Sequence, residues 1–158
     1  MPIKIHDNLP ARKLLQNEIV DVIDSSIAEK QDIRPLRFLL LNLMPKKLET
    51  EVQFARLLGA SPLQIELTLM TTETYSPRNT KREHLIEFYK TLDDINNNFY
   101  DVLIITGAPV ETVPFKEVKY WNELRDIISW SSRNVFRRIG VCWGAQALLK
   151  VLHNVEKH

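Results

Sequence analysis

The chain has 158 residues, 44% apolar and 26% charged, which suits one domain with one sizeable core and excludes a disordered segment. Lys plus Arg number 21 and Asp plus Glu 20, so a net charge of +1 gives no pull toward nucleic acid or an acidic membrane surface. One cysteine, Cys142, excludes an internal disulfide and fits a reducing compartment; with no signal-like N-terminus and no membrane-length apolar run, the expectation is a soluble cytoplasmic protein.

Residues 1–15, with Pro2 and Pro10, read as an extended arm, and residues 17–24 as a short strand. Residues 34–44, "RPLRFLLLNLM", are a near-continuous apolar run, the pattern of a strand covered on both faces of a parallel sheet. Pro45 ends it. Leu48, Val52, Ala55 and Leu58 then recur at helical spacing, with Gly59 as the stop. Residues 63–70 alternate with period two and predict a strand, followed by a loop over 71–79. "TKRE" (80–83) fits a capping box between Thr80 and Glu83, and Leu85, Tyr89 and Leu92 mark the buried face of the helix it opens. Residues 100–109 read as a buried strand running into a turn. A helix over 116–132 turns Val118, Trp121, Leu124 and Ile128 inward; a strand (135–143) and a helix (144–155) close the chain. Strands separated by helical crossovers define an α/β fold: one domain over 1–158, with a doubly wound, mostly parallel sheet and flanking helices. No strand follows the last helix, so the expectation is the N-terminal portion of a longer protein, truncated at its C-terminus.

The chemistry concentrates at "GVCWGAQA" (140–147). A lone cysteine is most often a small buried apolar residue. Here Gly140 and Gly144 bracket Cys142 where a strand turns directly into a helix, the geometry of a nucleophile elbow. The helix N-terminus favours a thiolate, and the N–H of Trp143 is placed to help hold an oxyanion. The turn "TGAP" (106–109) falls on the same carboxyl edge. The amides of Gly107 and Ala108 either complete that anion hole or belong to a plain turn. Glu111, just beyond, is either a solvated carboxylate or part of the pocket wall. A cysteine nucleophile needs a base, normally histidine. His6 sits in the arm, His84 in a first helical turn, His153 about 15 Å along the last helix, and His158 at the end, so none is a convincing partner.

With "LNLMPKKLETEVQFARLLG" (41–59), "SPLQIEL" (61–67), "SPRNT" (76–80) and "DVLIITGAPVETVPFKEVKYW" (101–121), the cysteine motif resembles the homoserine O-acyltransferases of bacterial methionine biosynthesis, which carry a class I glutamine amidotransferase-like fold. The resemblance implies ping-pong acyl transfer, in which Cys142 takes an acyl group from acyl-CoA and the hydroxyl of L-homoserine receives it. It also implies a histidine base and a supporting glutamate from a C-terminal half, and a homodimer. Glu at the position of Glu111 goes with acetyl-CoA in that family, and Gly there with succinyl-CoA. A carboxylate beside the acyl pocket would repel a succinyl carboxylate, so acetyl transfer is the expectation. L-Serine is the alternative acceptor, and the 158 residues alone should turn over little.

No metal-ligand spacing or phosphate-binding glycine loop is present, so acetyl-CoA is expected as co-substrate with no cofactor, and neither nucleic acid nor membrane as partner. Two other readings stay open: glutamine amidotransfer on the same fold, and a non-catalytic chain that only binds or dimerises.

Overall fold

The computed structural model describes residues 3–18, 22–23, 34–74 and 80–157. Its strands are β1 (Ile3–Lys4), β2 (Val22–Ile23), β3 (Leu36–Leu41), β4 (Ile65–Met70), β5 (Tyr89–Lys90), β6 (Tyr100–Ile105) and β7 (Val135–Gly140). Its helices are α1 (Pro10–Asn17), α2 (Lys47–Gly59), α3 (Arg82–Phe88), α4 (Leu92–Ile95), α5 (Trp121–Asn134) and α6 (Trp143–His153). The strands form one sheet in the order β2-β1-β4-β3-β6-β7, with β5 beside the end of β4, and each pairing is parallel.

β3 runs through the middle, and Leu39, Leu40 and Leu41 are fully buried because helices cover both faces. Strand alternation splits the core in two. Leu39 and Leu41 join Leu103, Ile105, Leu124 and Ile128 under α5 and α6. Leu40 and Ile104 join Leu15, Val52 and Ala55 under α1 and α2. The doubly wound α/β reading holds. At the far edge β7 pairs, among the described residues, with β6 only, and Phe136 and Ile139 on it are exposed.

Local readings fare less evenly. The expected arm contains β1 and α1. Pro10 opens that helix, where its fixed φ suits the first turn, and Ala11 and Leu15, four residues apart, are buried. Of the strand expected over 17–24, Val22–Ile23 is one, Asn17 and Glu18 belong to the end of α1, and the rest lies outside the described residues. In α2, Val52 and Ala55 face inward as expected. Leu48 is exposed, however, while Lys47, Thr50 and Glu51 are buried. Gly59 stays helical and does not act as a left-handed stop.

The Thr80–Glu83 capping box does not form. Thr80 Oγ1 donates instead to the Pro45 carbonyl at 3.3 Å, and α3 starts after Lys81 with no side-chain cap. Nor does α3 continue to Leu92. Tyr89 and Lys90 pair with Leu69 and Met70 as β5, and a capping box between Thr91 and Asp94 opens α4. The helix expected over 116–132 runs from Trp121 to Asn134, after a short 3-10 turn at Phe115–Glu117.

Candidate active site

Sheet order decides where a ligand can sit. From β3 the chain crosses to β4 on one side, while β6 lies on the other, so the winding reverses between β3 and β6. In open α/β sheets the crevice at the carboxyl ends of such a pair is the binding position. Thr106 ties its two walls together: Leu43 N–H donates to Thr106 Oγ1 at 2.8 Å, that hydroxyl donates to Gly107 O at 3.0 Å, and Thr106 N–H donates to Leu41 O at 3.1 Å.

Next to this crevice β7 delivers Cys142. Val141 N–H still donates to Ile105 O at 2.9 Å, which extends the sheet by one residue. The backbone then turns sharply, and Cys142 takes φ 54° and ψ −122° as the residue that caps α6. A positive φ on a residue with a Cβ costs of order 1–3 kcal/mol and persists only where its surroundings enforce it. Here the enforcement is close packing of helix on strand. A Cβ on Gly144 would lie 2.4 Å from Ile105 O, and one on Gly140 would lie 2.4 Å from Ala145 Cα. Glycine at both places lets α6 start against the end of β6 and leaves the cysteine as the projecting residue. The elbow read from the sequence is present, and Cys142 is exposed.

The thiol opens on a cleft of ≈ 320 Å³ lined by Met44, Thr50, Gln53, Phe54, Gly107 and Glu111. Gly107 lies against it: a Cβ there would stand 3.6 Å from Cys142 Sγ. The amides of Gly107, Ala108 and Trp143 donate to no acceptor among the described residues. Gly107 and Ala108 line the cleft together with Cys142, and Trp143 follows it in the chain. Glu111 is exposed on the same cleft. The Trp143 side chain points the other way, fully buried among Phe115, Tyr120 and Trp121 with ring centroids 6.0–6.4 Å distant. That packing anchors the residue after Cys142. Met44, Thr50, Gln53 and Phe54 were not singled out from the sequence, because they lie just after β3 or on α2, far along the chain from the cysteine.

The histidines lie elsewhere. His6 accepts from Asn8 N–H and packs on Phe88, and His153 is exposed on the last turn of α6. His158 is outside the described residues. His84 belongs to a polar cluster under α2 that the helical pattern did not reveal. Glu51 is fully buried, and its Oε1 accepts from Tyr89 O–H at 2.6 Å and from His84 Nε2 at 2.9 Å. Asn42 Nδ2 donates to Tyr89 Oη at 2.9 Å, and Lys47 Nζ donates to Asn42 O. Burial pulls the Lys47 pKa down to about 8 against the attraction of Glu51. Burial first, then the Glu51 charge, raises that of Tyr89. No described histidine lines the Cys142 cleft.

An open parallel sheet flanked by helices, with an exposed thiol on a strand-to-helix elbow, defines a doubly wound α/β protein. Residues 2–158 match the family model described as homoserine O-succinyltransferase, and the chain belongs to that family. It is 54% identical over 158 residues to a homoserine O-acetyltransferase of Novosphingobium aromaticivorans, covering all of this chain and 52% of the relative. To proteins of the same name it is 53% identical in Allorhizobium ampelinum (100% of this chain, 51% of the relative) and 51% identical in Bacillus subtilis (99% and 52%). The chain thus spans about half the length of the curated relatives it matches. No helix among the described residues is long and apolar enough to cross a membrane.

Proposed function

We propose that this chain carries the nucleophilic centre of a homoserine O-acetyltransferase, with Cys142 as the residue that becomes acylated. The observation that carries the reading is the backbone of Cys142: an exposed thiol held at positive φ beside Gly107, in a cleft that Ala108 also lines. The sulfur attacks the thioester carbonyl of acetyl-CoA. The oxygen gathers negative charge, held by the amides of Trp143, Gly107 and Ala108 and by the positive end of α6. The C–S bond to coenzyme A breaks, and CoA leaves as its thiol with a proton from solvent or a nearby acid. The hydroxyl of L-homoserine then attacks the acetyl-cysteine and gives up its proton to a base, which restores the thiol and releases O-acetylhomoserine. That base is a histidine supported by a glutamate, supplied by the part of the relatives that this chain does not span.

Acetyl as the acyl group is supported by the names of the relatives and by Glu111 on the cleft, whose charge opposes a second carboxylate. The family description names succinyl transfer, so donor choice is the second reading to separate. Incubation of the native protein with acetyl-CoA followed by intact mass should show one acetyl adduct, absent in Cys142→Ala; an adduct that survives the substitution removes Cys142 from the role. Glu111→Gly should shift the kcat/KM ratio toward succinyl-CoA by about tenfold, and an unmoved ratio defeats the carboxylate argument.

A further inference from the structure

A second recess, of ≈ 580 Å³, opens at the first turn of α2 and is lined by Lys46, Lys47, Glu49, Thr80, Lys81 and His84. Residues 46–49 face it, while Thr50, Gln53 and Phe54, within two turns further on, line the Cys142 cleft. The start of α2 is thus a wall common to both. Three ammonium groups meet one carboxylate in this recess, and that carboxylate, Glu49, already pairs with Lys46 at 3.1 Å. The Lys81 side chain has no partner among the described residues. Lys47 is 3% exposed, and its ammonium, which can donate three hydrogen bonds, donates one, to Asn42 O. Glu51 supplies its counter-charge, but two of the ammonium N–H groups have no acceptor among the described residues, and an anion in the recess would supply one. No side chain caps α2, so its first-turn amides are also available to an anion.

We propose that this recess holds the phosphate groups of the acyl-CoA donor, with Lys46, Lys81 and the first amides of α2 as ligands. The assignment rests on the acyl-CoA reading above. β3, which feeds α2, and β7, which feeds Cys142, are separated only by β6, two inter-strand spacings or about 10 Å. The pantetheine arm crosses that gap along α2, leaving the highly charged end among the lysines and the thioester at the sulfur. Lysine suits this end as a point charge that tolerates several phosphate orientations.

The native protein, two donors and two variants test it. Lys81→Ala and Lys46→Ala should each raise KM for acetyl-CoA about tenfold, the loss of one charge-assisted hydrogen bond, with kcat retained. Adenosine 3′,5′-bisphosphate should compete with acetyl-CoA in the native protein and compete more weakly in both variants. With S-acetyl-N-acetylcysteamine, which has the thioester and no phosphate, both variants should match the native protein. Unchanged KM values for acetyl-CoA overturn the assignment. Equal losses with both donors make the lysines structural and overturn it too. Failure of the native protein to acetylate Cys142 from either donor overturns the acyltransferase reading, and the phosphate site goes with it.

Discussion

Two groups of side chains at the carboxyl edge of one sheet differ in nearly every physical respect. Beneath α2, Glu51, Tyr89, Asn42 and Lys47 are buried and joined to one another and to His84 by hydrogen bonds. At the end of β7, Cys142 is exposed, its backbone is at positive φ, and its thiol has no hydrogen bond among the described residues. The histidine–carboxylate pair, which residue type alone would select as catalytic, lies in the first group. That pair does not border the Cys142 cleft. The thiol, held against its backbone preference, does, and strain of that kind clusters at functional sites.

Breaking the buried group is expected to have the largest effect on stability. Glu51→Ala leaves the Tyr89 hydroxyl, a His84 N–H and the Lys47 charge without their acceptor or counter-charge, which should cost about 4 kcal/mol in urea unfolding. A loss below about 1 kcal/mol, the size of a surface pair, would show that the cluster is not a structural device.

Lys47 sharpens the contrast through pH. Its folded pKa of about 8 lies below the ordinary 10.5. Between those values the unfolded chain binds more protons than the folded one, so stability rises with pH across that window; below it both states are charged and the burial cost is complete. Tyr89 acts in the opposite sense. Its raised pKa means that above pH 10.0 the unfolded chain loses a proton the folded chain keeps, and stability falls. Lys47→Met should remove a rise of on the order of 2 kcal/mol between about pH 8 and 10. Identical pH profiles for the native protein and the variant would contradict this.

The smallest effect is expected at the thiol. Cys142→Gly should be more stable than Cys142→Ala by about 1 kcal/mol, because only glycine is at ease at this φ, and neither variant should take an acetyl group. Equal melting temperatures would mean that the elbow stores no strain.

What could be read from the sequence followed the range of the signal. The runs at 34–44 and 100–109 and the glycines around Cys142 are local patterns, and they delivered the parallel sheet and the elbow. Pro10 fits an extended arm or a helical first turn equally well, and only the burial of Ala11 and Leu15 decides. Tyr89 continues a helical pattern, yet its hydroxyl is claimed by Glu51 and Asn42, distant in the chain, and the backbone goes with it into β5. The same long-range partners bury Lys47 and Glu51, which helical spacing alone leaves outside. The cleft walls at Met44, Thr50, Gln53 and Phe54 depend on where α2 rests, which no stretch of sequence records.

Among the described residues the outer edge of β7 is unpaired, which has a practical consequence. Phe136 is 71% exposed there, and the free N–H and C=O groups of such an edge are a template for strand pairing between copies. Arg137 and Arg138 share the strand, and the Arg137 guanidinium stacks 4.2 Å over the Phe136 ring. Repulsion between these arginines on two copies opposes that pairing only while it reaches across the solvent. At 1 M salt the screening length shrinks to about 3 Å. The solubility of this chain should therefore fall as salt is added, and dilute, low-salt buffers are the ones in which it stays monodisperse.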